Sequence, residues 1–191
     1  MMYDPGAHTP IAHLDLSLHS LASFARDWLK PLVVVTVIVL FMNLFFPRYA
    51  VHGRSMEPNL HESDRLFVTN IDLLNRPLER GELVILSSPY DGETIVKRVI
   101  GLPGETITVR GGTVYINGEA LHESYIADAP RYSGEWVVGP DQLFILGDNR
   151  NNSLDSADYG PVEMSRISGV VRLRFLPLDH LSLFDLPDYN N

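Results

Sequence analysis

β-Branched and apolar residues dominate the stretch Thr94-Ile95-Val96-Lys97-Arg98-Val99-Ile100. This composition predicts a β-strand, with Ile95, Lys97 and Val99 on one face because side chains alternate along a strand. Lys97 is one of only two lysines in a chain that has thirteen arginines. A desolvated lysine can lose its proton at a reachable pH, which an arginine cannot do. Lys97 is therefore a candidate general base, and the ordinary alternative is a strand lysine whose ammonium group reaches water.

Short β-branched runs separated by turn residues lie on both sides of this stretch, and together they predict a mainly β domain. The predicted strands are residues 66–69, 83–86, 94–100, 106–110, 113–116, 143–146 and 169–175. The pairs Gly111-Gly112 and Asn117-Gly118 are typical of tight turns between strands. Residues 119–141 are rich in Gly, Pro, Ser and Asp and predict a loop. Helices and strands do not alternate, which argues against a doubly wound α/β fold.

An uncharged apolar run, LVVVTVIVLFMNLFF, precedes the β-rich part at residues 32–46. As a helix this run spans about 22 Å, and Trp28 and Lys30 can extend it toward the ~30 Å of a bilayer core. We predict one transmembrane anchor over residues 31–47. A cleaved signal peptide is the main alternative, but Arg48 lies where the cleavage site needs a small residue. A helix buried in the β core is the other alternative.

The anchor divides the chain into three predicted parts. Residues 1–30 form an N-terminal segment whose apolar positions recur every three to four residues, which predicts an amphipathic helix. Residues 48–191 form an extramembrane β-rich domain. Basic residues flank both ends of the apolar run equally, so the positive-inside rule does not fix its orientation.

Composition argues against several functions. The formal net charge of −9 and the pI of about 5.1, without a Lys/Arg cluster, argue against nucleic acid as a partner. The absence of cysteine excludes a thiol nucleophile, a cysteinyl metal site and a disulfide. His52 and His61 flank Ser55, but no acid pairs with them and no third ligand has metal-site spacing. We therefore predict neither a histidine base nor a metal or other cofactor.

Four motifs follow the apolar run in a fixed order. They are Ser55-Met56-Glu57-Pro58, Arg80-Gly81-Glu82-Leu83-Val84, Lys97-Arg98-Val99-Ile100-Gly101-Leu102-Pro103-Gly104, and Gly147-Asp148-Asn149-Arg150 with Asn152-Ser153 and Asp155-Ser156. Each motif alone is compatible with an ordinary turn or strand, but their order behind an anchor is specific. From the anchor to about residue 175, the chain resembles the bacterial type I signal peptidases. These are membrane-anchored serine proteases that remove signal peptides from exported proteins.

The resemblance implies a signal-peptidase-like fold, with the β-rich catalytic domain on the extracytoplasmic side of the cell membrane. It also implies that preproteins bearing signal peptides and the lipid bilayer are the partners. Its catalytic unit is a Ser/Lys dyad with Ser55 as nucleophile and Lys97 as general base. Ser153 carries over as the hydroxyl that orients the lysine.

The resemblance assigns supporting roles as well. Asp148, Arg150 and Asp155 are expected to hold the site together by charge-assisted hydrogen bonds. Gly53 stands where some relatives have a serine that stabilises the oxyanion. The Ser55 N–H and the backbone near Gly53 are therefore the expected donors to the oxyanion.

Two positions near the end of the motifs differ from those of many relatives. Asn151 stands where many relatives have an aspartate, and Leu154 where many have a small polar residue, and we expect these differences to affect rate and substrate preference.

A membrane-anchored β-domain that acts only as a scaffold is one alternative function. A self-cleaving repressor is the other, because that family shares a Ser/Lys dyad on a β-rich fold.

Overall fold

The chain falls into two compact units, residues 1–41 and residues 42–191. The computed structural model describes residues 18–45, 48–73, 76–187 and 189. Helix α1 (Leu18–Phe45) is 28 residues long and continues through Pro31. The predicted helix before residue 18 and the end of the predicted anchor at residues 46–47 lie outside the described residues. Within the described part, no helix is both long enough and apolar enough to cross a membrane, so the anchor stays a prediction.

The larger sheet contains eight strands, and every neighbouring pair is antiparallel. Its strands are β1 (Arg48–Ala50), β2 (Arg65–Asn70), β3 (Leu83–Ser87), β4 (Thr94–Gly101), β9 (Gln142–Leu146), β10 (Val162–Glu163), β11 (Ile167–Leu176) and β12 (Ser182–Leu183). The spatial order is β1-β2-β11-β3-β4-β9-β10, and β12 pairs with β11. β1 is therefore an edge strand, whereas β4 lies inside the sheet.

The smaller sheet has four strands in the order β7-β6-β5-β8. These are β5 (Thr106–Arg110), β6 (Thr113–Ile116), β7 (Glu119–Ala120) and β8 (Gly134–Val137). After α1, the helical elements among the described residues are α2 (Ser156–Tyr159) and three 3₁₀ turns at Ile71–Leu73, Met164–Arg166 and Leu178–His180.

All seven predicted strands are present, but the prediction of a loop over residues 119–141 was wrong in part. β7 and β8 lie within this segment, and β8 pairs with β5 through Ile107 and Trp136. Trp136 packs on Phe144, with their ring centroids 5.0 Å apart, and the exposure of β8 alternates as in a half-buried strand. The sequence obscured β8 because glycine and proline flank a strand of only four residues.

Strand β4 separates two of the three clusters of buried side chains. Ile95 and Val99 pack in the cluster that contains Leu143, Ile145 and other residues of β3, β9 and β11. Val96 packs in a different cluster, around Met56, Leu60 and residues of β2 and β3. The predicted alternation along β4 is therefore correct. It places Lys97 in the apolar interior of the larger sheet.

Candidate active site

Lys97 is buried, with 3% of its surface exposed, in the middle of β4. Its Nζ donates a hydrogen bond of 2.9 Å to Ser153 Oγ. Burial lowers the pKa of the Lys97 amine below that of a free lysine, because desolvation disfavours the ammonium form. The carboxylates of Asp155 and Asp148 oppose this shift but do not cancel it. A lysine in this environment can be neutral at a pH where a solvated lysine is charged.

Ser55 lies in a run of tight turns between β1 and β2. The Glu57 N–H donates to Arg54 O at 3.2 Å, and the Leu60 N–H donates to Met56 O at 2.9 Å. Met56 and Leu60 are almost fully buried and fix this segment to the core, whereas Ser55 stays half-buried. The Ser55 N–H donates no hydrogen bond to any residue that the structure describes.

Gly53 adopts a φ of +79°, in the left-handed region that favours glycine, and no atom lies within 4 Å of where its Cβ would be. A serine side chain at this position would meet no neighbour, but its backbone would be strained. The chain reverses direction here without a side-chain hydroxyl beside the nucleophile candidate.

The loop that follows β9 brings Ser55 and Ser153 together. The Asn149 N–H donates to Ser55 O at 3.0 Å, and Asn149 Nδ2 donates to Arg54 O at 3.0 Å. A Cβ on Gly147 would collide with Ser153 Oγ and lie 2.5 Å from Ser55 O. These two oxygens are therefore near neighbours across a glycine. The Ser55 hydroxyl makes no hydrogen bond to Lys97 within the described residues, and catalytic hydrogen bonds are often long until substrate binds.

Replacing Gly147 with alanine is expected to lower kcat by ~100-fold or more. The new methyl group would push the Ser153 hydroxyl and the Ser55 backbone apart, and a displacement of about 1 Å can cost on the order of 100-fold in rate. The measurement is kcat on a peptide substrate, scaled to the folded fraction of the protein.

Gly169→Ala is the matched control for this prediction. A Cβ at Gly169 would crowd Thr69 O at 2.5 Å, so the collision is similar but lies between β11 and β2. Gly169→Ala should lower the unfolding temperature and leave kcat of the folded protein unchanged. If Gly147→Ala also kept its kcat, close packing of Ser55 against Ser153 would not matter for activity.

Asp148 is the centre of a buried polar cluster behind the site. Arg98 Nε and Nη2 donate to its two carboxylate oxygens at 2.7 and 2.6 Å, and Asn59 Nδ2 donates at 2.7 Å. Arg98 Nη1 also donates to Gly81 O at 2.8 Å, which ties in the Arg80-Gly81 motif. Arg98, Gly81 and Asp148 belong to three of the four motifs, and Asn59 directly follows the fourth, so this cluster connects all four segments.

Arg150 forms a second buried ion pair, with a partner that the sequence did not reveal. Its side chain is fully buried, and Nη1 donates to Glu123 Oε2 at 2.7 Å. Arg150 Nε donates to Gly147 O at 3.1 Å, and the Tyr125 hydroxyl donates to Glu123 Oε1 at 2.6 Å. The segment predicted as a loop thus supports the Gly147–Ser153 turn from behind.

Asp155 organises the end of the same turn. Its carboxylate accepts hydrogen bonds from the Gly147 N–H at 2.9 Å and from the Ala157 N–H at 3.1 Å, and it caps α2. Burial raises the pKa of Asp155 above the ordinary value, while these hydrogen bonds act in the opposite direction. The nearby Ser153 hydroxyl also acts to lower the pKa of this carboxylate. Lys97 and Ser153 are therefore joined by a hydrogen bond beside the Asp155 carboxylate.

The two histidines near Ser55 in sequence make no hydrogen bond to Lys97, Ser153 or Asp155 within the described residues. His52 is exposed, and the His61 ring lies 6.3 Å from the ring of His180. The described residues contain no cluster of three metal-ligating side chains. Neither histidine makes a hydrogen bond to Ser55 within the described residues.

Two cavities adjoin the site. The first, which we call the small pocket, has a volume of about 40 Å³. It is lined by Tyr49, Ala50, Val51, His52, Ser55, Met56, Ile85, Thr94, Ile95 and Val96. The second, which we call the polar cavity, has a volume of about 420 Å³ and includes Ser153, Arg131, Tyr132, Trp136, Asn151 and Asp158. Ser55 thus borders one cavity and Ser153 borders the other.

Comparisons with known proteins agree on one family. Residues 25–176 match the family model described as signal peptidase, peptidase S26. Signal peptidase I of Bacillus amyloliquefaciens is 34% identical over 172 residues, which cover 83% of this chain and 92% of that protein. The probable signal peptidase I-1 of Synechocystis sp. is 38% identical over 165 residues, which cover 81% of this chain and 84% of that protein.

A crystal structure of a signal peptidase I from Enterococcus faecalis is also similar. It shares 33% sequence identity with this chain and covers 50% of it and 97% of the crystallised chain, with a TM-score of 0.47.

The sequence matches define the chain as a serine peptidase, and therefore as a hydrolase. It belongs to the signal peptidase family, peptidase S26. This membership favours neither the scaffold nor the self-cleaving repressor.

Proposed function

We propose that this chain cleaves signal peptides from preproteins, with Ser55 as the nucleophile and Lys97 as the general base. The observation that carries the proposal is the buried Lys97 amine, held at 2.9 Å from the Ser153 hydroxyl beside the Ser55 turn. A lysine with a lowered pKa is a competent base for a serine hydroxyl. Membership of the family supplies the reaction class and the substrate class.

The proposed reaction has two stages. The neutral Lys97 amine takes the proton of the Ser55 hydroxyl as its oxygen attacks the scissile carbonyl carbon. The resulting ammonium gives this proton to the leaving amine, and the acyl part stays on Ser55 as an ester. Lys97 then takes a proton from water as the water oxygen attacks the ester carbonyl. The ester C–O bond breaks, the signal peptide leaves as a carboxylic acid, and Lys97 returns the proton to Ser55 Oγ.

The Ser55 N–H is the donor that we assign to the oxyanion. It has no hydrogen-bond partner within the described residues, and it belongs to the same residue as the attacking oxygen. Such a donor is effective because it is already oriented before charge develops. We assign the second oxyanion donor to the backbone near Gly53, where no side chain fills the space around the Cβ position.

The small pocket supports binding of small side chains on the signal-peptide side of the cut. Its volume of about 40 Å³ suits a methyl group better than a larger side chain. Two unpaired strand edges adjoin it. One is the outer edge of β1, and the other is the start of β4 at residues 94–97, because β9 pairs with β4 only at residues 98–101. An extended peptide can hydrogen-bond to such edges, with alternate side chains entering pockets.

Ser153→Ala is expected to lower kcat by roughly 10- to 100-fold, the effect of losing one hydrogen bond to a group that becomes charged. Ser153→Thr keeps the hydroxyl and should retain most of the activity, because Ser153 borders a cavity that has room for one more methyl group. If Ser153→Thr were as slow as Ser153→Ala, packing rather than the hydroxyl would explain the loss. The measurement is kcat for both variants across the pH range.

We also propose that residues 31–47 anchor the chain in the cell membrane, with residues 48–191 on the extracytoplasmic side. The uncharged run at residues 32–46 supports the anchor, and the family resemblance supports the location. The anchor would hold Ser55 near the membrane surface, where the end of a signal peptide emerges, and so raise its effective concentration. Release of the full chain from membranes by alkaline carbonate would contradict this proposal.

A defined preprotein tests the function directly. The purified full chain in detergent should cut a labelled preprotein once. Sequencing of the mature N-terminus locates the cut, and the preprotein sequence should have small residues one and three positions before it. Cleavage at scattered positions, or none, would contradict the proposal.

A further inference from the structure

We propose that the polar cavity binds the residues that follow the scissile bond, and that Arg131 binds an acidic side chain among them. This inference rests on the proposed function, because it extends the path of the substrate beyond the reacting groups.

The position of the polar cavity indicates which part of the substrate it takes. Ser55 borders the small pocket, and Ser153, the hydrogen-bond partner of Lys97, borders the polar cavity. In the proposed reaction the acyl part becomes attached to Ser55, while the leaving amine takes its proton from Lys97. The leaving part of the substrate therefore continues from the Lys97–Ser153 pair, where the polar cavity begins.

The walls of the polar cavity suit a polar, extended chain. A volume of about 420 Å³ lies in the range of ligand sites in proteins. Asn151 fixes one wall, since its Oδ1 accepts from the Arg131 N–H at 2.9 Å and its Nδ2 donates to Ala129 O at 3.0 Å. Tyr132 and Trp136 are half-buried and offer flat surfaces for a peptide. This mixture is unsuited to the apolar segment of a signal peptide.

Arg131 is the cation of this cavity that is available for a ligand. Arg131 is exposed, and its side chain makes no ion pair or hydrogen bond with any residue that the structure describes. The other cation, Arg150, is fully buried and paired with Glu123. Asp158 is the carboxylate of the cavity, and it accepts a hydrogen bond from the Asp155 N–H at 3.1 Å in the cap of α2. An unpaired arginine fork matches a carboxylate, which it can bind with two parallel hydrogen bonds.

A set of peptides that differ only after the cut tests the inference. All carry the same sequence before the cut, and each carries Asp or Lys at one of the first three positions after it. For the full chain, we expect kcat/KM to favour Asp over Lys by about fivefold at one of these positions, as for an exposed ion pair. Arg131→Gln should remove the preference, and Arg131→Glu should reverse it. Arg166→Gln, another exposed arginine outside the cavity, should leave it unchanged.

The outcomes separate this inference from the proposed function. If Arg131→Glu cuts every peptide with the preference of the unaltered chain, or slows all of them equally, the assignment of Arg131 is overturned. If the unaltered chain shows no preference at any of the three positions, the inference is also overturned, while cleavage itself still supports the proposed function. If no peptide is cut at all, the proposed function fails first.

Discussion

Replacing Lys97 with arginine is expected to lower kcat by at least ~1000-fold. The guanidinium keeps its proton at any working pH, so it cannot accept the proton of Ser55. Removing one member of a catalytic unit commonly costs three or more orders of magnitude. An ordinary structural lysine would behave differently, since arginine would preserve its charge and most of its length. The measurement is single-turnover cleavage of a peptide by the folded variant.

Two companion variants make this result interpretable. Methionine at position 97 has a length similar to that of lysine and no charge. Lys97→Met therefore tests whether activity is lost because the base is missing rather than because the larger arginine side chain crowds the buried site. Lys30→Arg makes the same chemical change at the other lysine, which is exposed on α1, and it should retain full activity. Activity of Lys97→Arg within tenfold of the unaltered chain would return Lys97 to a structural role.

Replacing Ser55 with alanine is expected to abolish cleavage without unfolding the chain. The hydroxyl is the proposed nucleophile, and a half-buried serine contributes little to packing. The covalent intermediate can no longer form, so an acylating probe that labels serine should fail to modify this variant. Mass spectrometry of the labelled protein measures both the modification and its position.

Ser165→Ala is the matched control for Ser55→Ala. Ser165 is exposed in the 3₁₀ turn Met164–Arg166 and lines neither cavity. The control should be labelled at Ser55 and should cleave peptides as fast as the unaltered chain. Cleavage at an unchanged rate by Ser55→Ala would show that another group attacks the substrate.

The five longer strands of the larger sheet could be predicted from their composition, whereas its strands of two or three residues, β1, β10 and β12, were not predicted. β3 and β4 are runs of branched apolar residues, and such runs fit strands that are buried on both faces. β8 could not be predicted in this way, because Trp136 packs on Phe144 of β9, a residue of the other sheet. A short strand whose stability comes from a distant aromatic contact has little local signal.

The residues of the candidate site likewise differ in whether the sequence alone could identify them. Ser55, Lys97 and Ser153 follow from the motifs, and Lys97 is also unusual on its own because the chain avoids lysine. Glu123 and Asn59 did not stand out in the sequence. Their partners lie 27 and 89 residues away, and many arginines and carboxylates compete as partners until the fold selects one.

The strand pattern alone does not determine which of the neighbouring basic residues Lys97 and Arg98 stays charged in the folded protein. The motif contains it next to Lys97, and alternation along β4 puts the two side chains on opposite faces. Both are buried, yet Arg98 is held by two hydrogen bonds to Asp148, whereas Lys97 has a neutral hydroxyl as its partner. The ion pair keeps Arg98 charged, and the absence of one favours a neutral Lys97. Only the three-dimensional arrangement distinguishes these two neighbours.

The ionisation of Lys97 is the central claim, and direct titration of its side chain tests it most directly. Because the chain has two lysines, labelling with lysine carrying ¹³C at Cε gives two NMR signals, and Lys30→Arg identifies the one from Lys97. Burial favours the neutral amine, so the Lys97 signal should titrate below the pKa of free lysine, ~10.4, and kcat/KM should rise with pH through the same midpoint. A Lys97 signal that titrates at or above the pKa of free lysine would contradict the account.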